Sequence, residues 1–276
     1  MSATGAPLLR IEGVAKTFPG RPAVEALAPI DLSVAENEFV SIVGTSGCGK
    51  STLLGIVAGL VEPSAGRVLV DGRPIAGPGP DRGVVFQQYT LLPWLTARRN
   101  IEFALRGERM SAAERRRVAD EHLELVGLGA FADALPRNLS GGMKQRVAIA
   151  RALCYRPRIL LMDEPFGALD EMTRERLNAE VLRVWGQTGT TVIFVTHSIP
   201  EAVFLSTRVV VMSARPGRIS TVIPIDLPQP RSEETRETDR YYELVTQVCE
   251  ALRANHGPAA GAVASVDRAR AEGGIG

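Results

Sequence analysis

The segment Gly44–Ser51, "GTSGCGKS", constrains the fold of this chain more than any other, because it fits the pattern G-x-x-x-x-G-K-[ST] directly after the apolar run "FVSIV". Glycines let the backbone turn so that successive N–H groups converge on one anion. A helix that begins near Lys50 would point its positive end at the same place. The segment therefore predicts a strand, a phosphate-binding loop and a helix. The alternative is a chance glycine-rich turn, and the flanking apolar segments weigh against it.

Individual side chains of this loop suit a nucleotide triphosphate. Lys50 would reach the terminal phosphates, and the hydroxyl of Ser51 would bind Mg²⁺. Cys48 is expected to be a small filler rather than a nucleophile. The nucleotide-binding residues predicted here are Gly44, Thr45, Ser46, Gly47, Cys48, Gly49, Lys50, Ser51 and Thr52.

A second motif, "ILLMDEPFGALD", places two carboxylates directly after an apolar run. Open α/β sheets bind ligands at the carboxyl ends of their strands, so this motif would bring its acids to the same edge as the phosphate loop. We expect Asp163 to hold Mg²⁺, directly or through water, and Glu164 to act as the general base on an attacking water. An acidic loop without function is the alternative.

Short β-rich runs alternate with helical patterns, which predicts a mostly parallel α/β sheet. Two helix starts carry capping-box spacing, Ser111 with Glu114 and Ser198 with Glu201. Residues 88–140 lack a strong strand pattern and are predicted to form a helical insertion. The seven runs predicted as strands are "LLRIEGVAKTF", "FVSIVG", "RVLVDG", "GVVFQ", "ILLMDE", "TVIFVTH" and "RVVVMS".

A third motif, "LSGGMKQRVAIARAL", resembles the signature of the ATP-binding cassette (ABC) family. This motif would form a second anion-binding site, because a hydroxyl and unobstructed N–H groups lie at a helix start, at Ser140, Gly141 and Gly142. The resemblance covers about residues 8–227. It implies a P-loop NTPase fold with a mostly parallel core sheet, an antiparallel β subdomain and a helical insertion. It further implies a homodimer, in which each signature closes on the ATP held by the other copy.

The resemblance assigns four more residues. Phe18 matches the aromatic that stacks on adenine, although it could instead be a core-facing strand residue. Gln87 matches the glutamine that senses the metal and the γ-phosphate, with Gln88 beside it as the alternative. His197 matches the histidine that contacts the γ-phosphate, and Asp170 the loop that crosses the dimer interface. Asn37 stands where the family usually has glycine, and we expect it to keep the turn by adopting positive φ.

Composition narrows the function classes. The 276 residues carry a net charge of +1, so no broad basic surface favours nucleic acid. No apolar run approaches the roughly 18–20 residues needed to span a bilayer, so any membrane role would depend on a partner. A kinase acceptor site and a guanine-reading motif are not evident, which disfavours an unrelated kinase or GTPase. The three cysteines show no paired metal spacing.

The stretch "QQYTLLPWLTARRNIEFAL" supports the importer class within the ABC family. Its apolar residues, with Trp94 among them, would form a surface for a transmembrane permease subunit, or a small satellite core under the loop. "LLPW", "RPGRI" and "DLPQPR" together resemble the nitrate/sulfonate/taurine branch of importers.

We therefore expect an ATP-hydrolysing importer subunit that uses ATP and Mg²⁺. It would lie peripherally on the cytoplasmic face of the inner membrane, bound to permease subunits and served indirectly by a solute-binding protein. The alternatives are a soluble ABC-type ATPase outside transport, or an importer of another organic solute. The expected domains are 8–230 for the ATP-binding domain, 231–256 for a C-terminal helical extension and 257–276 for a disordered tail.

Overall fold

The structure, a computed structural model, describes residues 6–254. The expected tail 257–276 and the end of the predicted C-terminal extension lie outside these residues. The strands are β1 Leu9–Phe18, β2 Val24–Val34, β3 Phe39–Gly44, β4 Ala65–Val70, β5 Arg73–Pro74, β6 Arg82–Val85, β7 Ile159–Asp163, β8 Thr191–Val195, β9 Arg208–Ser213 and β10 Arg218–Pro224. The helices are α1 Lys50–Val57, α2 Ala97–Ala104, α3 Ala112–Leu125, α4 Gly141–Leu153, α5 Glu171–Thr188, α6 Ile199–Leu205 and α7 Asp239–Ala254.

The core sheet has six strands in the order β10-β9-β3-β8-β7-β6. All pairs are parallel except β9 with the edge strand β10, so the predicted mostly parallel sheet is confirmed. Because β3, β7 and β8 run in the same direction, the loops after them meet at one edge of the sheet. These loops carry the three motifs that follow Gly44, Asp163 and Val195.

The core strands are buried on both faces, which explains their continuously apolar sequences. Along β7, Leu160 and Met162 pack into one hydrophobic cluster, with helices α2 to α7. The alternate residues Ile159 and Leu161 pack into a second cluster, with α1 and the strands of the other sheet. The period of two along a strand thus divides each strand between two separate cores.

The second sheet is antiparallel, in the order β2-β1-β4-β5. All seven predicted strands are present, but the sequence analysis did not identify β2, β5 or β10. Each of these three lies at the edge of its sheet. Edge strands tolerate proline, as β2 does at Pro29, and they carry less of the apolar pattern on which strand prediction depends.

Two predicted helix starts behave differently. At α3 the capping box is complete, with Ser111 and Glu114 each accepting from the other's backbone N–H. At α6, Ser198 accepts from the Glu201 N–H, but the prediction of a full box is wrong. The Glu201 carboxylate turns inward and accepts from Thr196 Oγ1 at 2.5 Å, because that position is buried rather than facing water.

Residues 88–140 contain α2, α3 and three short 3₁₀ turns, as predicted for the helical insertion. Helix α7 has an apolar face, with Tyr241, Leu244 and Val248 buried and the Tyr241 hydroxyl donating to Pro200 O at 3.0 Å. The division into domains 8–230 and 231–256 stays a prediction. Within residues 6–254, no helix combines the length and the apolar character that crossing a membrane requires.

Candidate functional site

The phosphate loop leaves β3 at Gly44 and enters α1 at Lys50. Gly49 caps α1 at φ +89° with no side-chain hydrogen bond to the helix, so the first N–H groups of α1 are left for a ligand. A Cβ at Gly49 would lie 2.5 Å from Leu27 Cδ2, and one at Gly44 would lie 2.6 Å from Cys48 Sγ. Close packing therefore requires glycine at both positions, and at Gly49 the positive φ favours glycine as well.

Lys50 is 6% exposed and held inside the loop. Its Nζ donates to Gly44 O at 2.9 Å and to Thr45 O at 3.2 Å. Cys48 is fully buried behind the lysine, and burial raises the pKa of its thiol, as expected of a filler rather than a nucleophile. The loop thus presents its backbone and Lys50 to the groove.

Ser51 and Asp163 meet across the sheet edge, with Ser51 Oγ donating to Asp163 Oδ1 at 3.0 Å. Burial, with a smaller contribution from the neighbouring Glu164 charge, raises the pKa of Asp163, while the Ser51 hydrogen bond opposes the shift. Residues 6–254 hold no cluster of three or more His, Cys, Asp and Glu that could bind a metal. A hydroxyl beside a carboxylate nevertheless suits Mg²⁺, which uses few protein ligands when substrate phosphates supply the rest.

Glu164, His197 and Gln87 are brought together beside this pair. The Glu164 N–H donates to Val195 O at 2.9 Å, and Glu164 Oε2 lies 3.4 Å from His197 Nδ1. A Cβ at Gly167 would lie 3.5 Å from Gln87 Nε2 and 3.8 Å from Glu164 Oε2, so both side chains face one small gap. Glu164 adopts φ +43°, a strained conformation for a residue with a side chain, and such strain is concentrated at functional sites.

The phosphate-loop groove has a volume of about 840 Å³. One wall comes from the phosphate loop, with Glu164 nearby, and another from the start of β2. The turn between β9 and β10 forms a third wall. The lining residues are Ala23, Val24, Glu25, Ala26, Ser46, Gly47, Gly49, Lys50, Ser51, Thr52, Glu164, Arg215 and Pro216.

Phe18 does not line this groove. It lies at the end of β1, 40% exposed, with Lys16 Nζ 5.1 Å from its ring centroid. The exposure contradicts the alternative of a core-facing aromatic. Stacking of Phe18 on adenine stays a prediction.

The signature residues lie in a separate place, the signature cavity of about 350 Å³. Ser140 caps α4 and accepts from the Met143 N–H at 3.2 Å. Asp170 caps α5 and accepts from the Thr173 N–H at 3.0 Å, and this hydrogen bond holds the pKa of Asp170 below its ordinary value. The cavity lining is Ser140, Gly142, Met143, Arg146, Thr173, Arg176, Leu177 and Glu180.

No residue lines both cavities, so one chain does not bring its signature to its own phosphate loop. Gly141 packs against Tyr89 and Leu169 at the edge of the signature cavity, where a Cβ would lie 3.0 Å from the Tyr89 hydroxyl.

Sequence reasoning missed one wall of the groove. Arg215 and Pro216 were noted only as part of "RPGRI", a mark of one family branch, and β2 was not recognised as a strand. The available signal was a Pro-Gly turn directly after the buried strand β9, which places a loop at the same sheet edge.

Comparison with known proteins agrees with this geometry. The ABC transporter family model matches residues 27–167. A putative ATP-binding protein of Brucella abortus (strain 2308) is 54% identical over 227 residues, 82% of this chain and 87% of that protein. The nitrate import ATP-binding protein NrtD of Synechococcus elongatus (strain PCC 7942) is 49% identical over 249 residues, 88% of this chain and 91% of its own length.

Among solved structures, the dimeric post-hydrolysis ATP-binding cassette MJ0796 bound to ADP and Pi superposes with a TM-score of 0.69 at 37% identity, covering 79% of this chain and 98% of that chain. The motifs, the sheet order and these similarities agree. The chain belongs to the ABC transporter family, in which it is an ATP-binding subunit with ATPase activity.

Proposed function

We propose that this chain hydrolyses Mg-ATP to energise an ABC importer for a small solute of the nitrate, sulfonate or taurine type, with transport through separate permease subunits. The ATPase site is supported by two contacts beside the phosphate loop. Ser51 lies 3.0 Å from Asp163, and His197 lies 3.4 Å from Glu164. These four residues come from three distant parts of the sequence, since Asp163 and Glu164 are adjacent.

Each residue has a definite task in this proposal. Lys50 and the free N–H groups of α1 bind the phosphate oxygens. Ser51 and Asp163, with Gln87 alongside, hold Mg²⁺, which supplies neutralisation of the phosphate charge. Glu164 accepts a proton from the attacking water at a carboxylate oxygen.

His197 contacts the carboxylate of Glu164. Its ring binds the γ-phosphate and holds the Glu164 side chain in position. Its side chain is 57% exposed and that of Glu164 is 25% exposed, so both reach a ligand without rearrangement of the core. Phe18 would contribute adenine stacking from the end of β1, at the margin of the groove.

The second half of each site comes from a second copy of the chain. Ser140, Gly141, Gly142 and Asp170 would close on the ATP held by the phosphate loop of the partner subunit. Two observations support this homodimer: the signature cavity is separate from the groove within one chain, and the related cassette MJ0796 is described as dimeric. Bound triphosphate would hold the dimer shut, and hydrolysis would release it.

A permease would dock on the exposed aromatics that follow β6. Phe86 is 41% exposed, Trp94 71% and Phe103 44%. Asn100 is buried and fixes the loop that carries Trp94, accepting from the Leu92 N–H at 2.8 Å and donating to three backbone carbonyl oxygens of that loop. Exposed aromatics on a rigid loop are typical of a protein interface.

The alternative of a satellite core holds for only part of this loop. Leu91 is partly buried against the main cluster, whereas Trp94 faces solvent. Gln87 lies in the same connection, between Phe86 and the loop. A change in the contacts of Glu164 would therefore be transmitted through Gln87 to the permease-docking loop, which follows Gln87 within a few residues.

Import of a nitrate-like solute is supported by relatives named nitrate import ATP-binding protein, at 49% and 47% identity. A solute-binding protein would deliver the solute. The chain would then lie peripherally on the cytoplasmic face of the inner membrane, held by the permease. A soluble ABC-type ATPase outside transport is the competing function.

Replacing Trp94 by alanine tests the proposal. We expect copurification with its permease to fall at least about tenfold, the effect of losing an aromatic hot spot. ATP binding should not change. Tyr242, 59% exposed on α7, is the matched control, and its alanine variant should assemble normally.

Undiminished assembly of the Trp94 variant would contradict the docking surface. Failure of the unmodified chain to sediment with membranes that contain its permease would favour the non-transport ATPase. Uptake of labelled nitrate, sulfonate and taurine by a deletion strain would then identify the solute, and unchanged uptake of all three would contradict the proposed cargo class.

A further inference from the structure

The turn between β9 and β10 is hydrogen-bonded to β2 and packs against the phosphate loop. The Gly217 N–H donates to Ala26 O at 3.0 Å, and the Ala28 N–H donates to Gly217 O at 2.9 Å. A Cβ at Gly217 would lie 2.1 Å from Cys48 O, so the turn packs against the backbone of the loop itself. This contact fixes the turn relative to the ligand-binding N–H groups.

Arg215 is held at the rim of the groove by this turn. Its φ is +53°, a conformation that costs of the order of 1 kcal/mol or more for a residue with a side chain. Glu164 is the other lining residue with a side chain that has positive φ. Strained positions of this kind persist where the surrounding structure imposes them and function uses them.

The guanidinium of Arg215 is free to bind a ligand. Arg215 is exposed and lines the groove, and within the described residues its side chain makes no hydrogen bond or ion pair. Arginine presents a planar set of donors that matches phosphate oxygens. The side chain is therefore available at the place where a nucleotide would enter.

The charges that line the groove also favour binding of an anionic ligand by Arg215. The charged lining residues are Glu25, Lys50, Glu164 and Arg215. The Lys50 ammonium is already engaged by the carbonyl oxygens of Gly44 and Thr45. The carboxylates of Glu25 and Glu164 would thus face a polyanionic ligand. Of the two cations, Lys50 is hydrogen-bonded within the loop, whereas Arg215 is available.

We propose that Arg215 is a nucleotide-binding residue whose guanidinium contacts the phosphate chain of the bound nucleotide, with Gly217 fixing its position. This inference rests on the proposed ATP site but assigns a wall of it that lies outside the P-loop, the acidic motif and the signature. Arg215 contributes binding affinity and takes no part in proton transfer.

Equilibrium binding of ATP, ADP and AMP with Mg²⁺, measured by calorimetry, tests the assignment. Arg215→Gly removes the guanidinium and tolerates the positive φ, so the fold should be retained. We expect ATP binding to weaken about three- to tenfold, the effect of losing one solvent-exposed hydrogen bond. The loss should be greater for ATP than for AMP and should diminish at high salt.

Arg218→Ala is the matched control, because Arg218 is exposed at the start of β10 but does not line the groove. It should bind ATP like the unmodified chain. Equal ATP affinity in the Arg215→Gly and Arg218→Ala variants would overturn the inference, as would an equal loss for ATP and AMP. Absence of ATP binding by the unmodified chain would instead contradict the proposed function.

Discussion

Replacing Glu164 by glutamine tests the role of its carboxylate in catalysis while leaving the structure of the site intact. Glutamine has the same shape, and the backbone of this residue is held independently of its side chain. Its N–H donates to Val195 O at 2.9 Å, and its carbonyl accepts from the Gly167 N–H at 3.1 Å. The turn at φ +43° should therefore persist in the variant.

Two magnitudes decide the expected outcome. Loss of a general base costs about 100- to 10,000-fold in rate, which is about 3–5 kcal/mol of activation free energy. The contact with His197 is 3.4 Å long and partly exposed to solvent, so its loss changes the free energy of unfolding by at most about 1 kcal/mol. Turnover should fall steeply while stability barely changes.

Nucleotide binding should be retained or strengthened. Part of the raised pKa of Asp163 comes from the negative charge of Glu164 beside it. Glutamine removes that charge, so the pKa of Asp163 should fall and its ionised form should hold Mg²⁺ more readily. The variant would then accumulate with ATP bound, and we expect it to form a dimer under these conditions.

Phosphate release under steady-state conditions gives the rate, and calorimetry gives the ATP affinity. Size-exclusion chromatography with Mg-ATP reports the dimer. Glu121→Gln is the control, since Glu121 is exposed on α3 and pairs only with Arg117 in the described chain. Steady-state hydrolysis at the unmodified rate would remove Glu164 from the role of base. A strictly monomeric, ATP-saturated variant, alone and with its permease, would refute the shared site.

Two further predictions concern stability. Burial raises the pKa of Glu201 above its ordinary 4.5, so the stability that this carboxyl contributes is fully present below about pH 4.5 and is lost as the pH rises through its higher folded-state value. Urea unfolding should therefore show Glu201→Gln gaining on the unmodified chain as the pH rises above about 4.5, and a constant difference would contradict the shift. Gly217→Ala, with its Cβ 2.1 Å from Cys48 O, should lose about 1–3 kcal/mol in the same assay and bind ATP more weakly. Gly186→Ala has no atom within 4 Å of the added carbon and should instead gain about 0.5–1 kcal/mol, and destabilisation of both to the same extent would refute the packing argument.

The sequence predicted the elements whose causes are local. Continuous apolar runs identified β3, β7 and β8, because a strand buried on both faces needs no polar alternation. The capping box at Ser111 identified the start of α3, and Asn37 adopts φ 60° as expected of a residue that replaces glycine in a turn. The edge strands β2, β5 and β10 were missed because solvent on one side relaxes their sequences, as the proline in β2 illustrates.

The inward turn of Glu201 shows where local patterns fail. Its spacing from Ser198 is that of a capping box, yet its carboxylate accepts from Thr196 in the interior. The choice between the two partners depends on what packs over the helix start. Such packing is a property of the assembled core and is not encoded in the four-residue pattern.

By itself, the sequence determined that this chain has a phosphate loop, an acidic strand end, an ABC signature and an α/β fold, since each follows from residues close together in the chain. Tertiary structure alone decided which of them meet. Ser51 reaches Asp163 across 112 positions, and Gly217 packs on Cys48. The physical reason is the strand order, which places β3 between β8 and β9 and gathers their loops at one edge. The same order brings the turn after β9, which carries Arg215, to the edge where the phosphate loop lies.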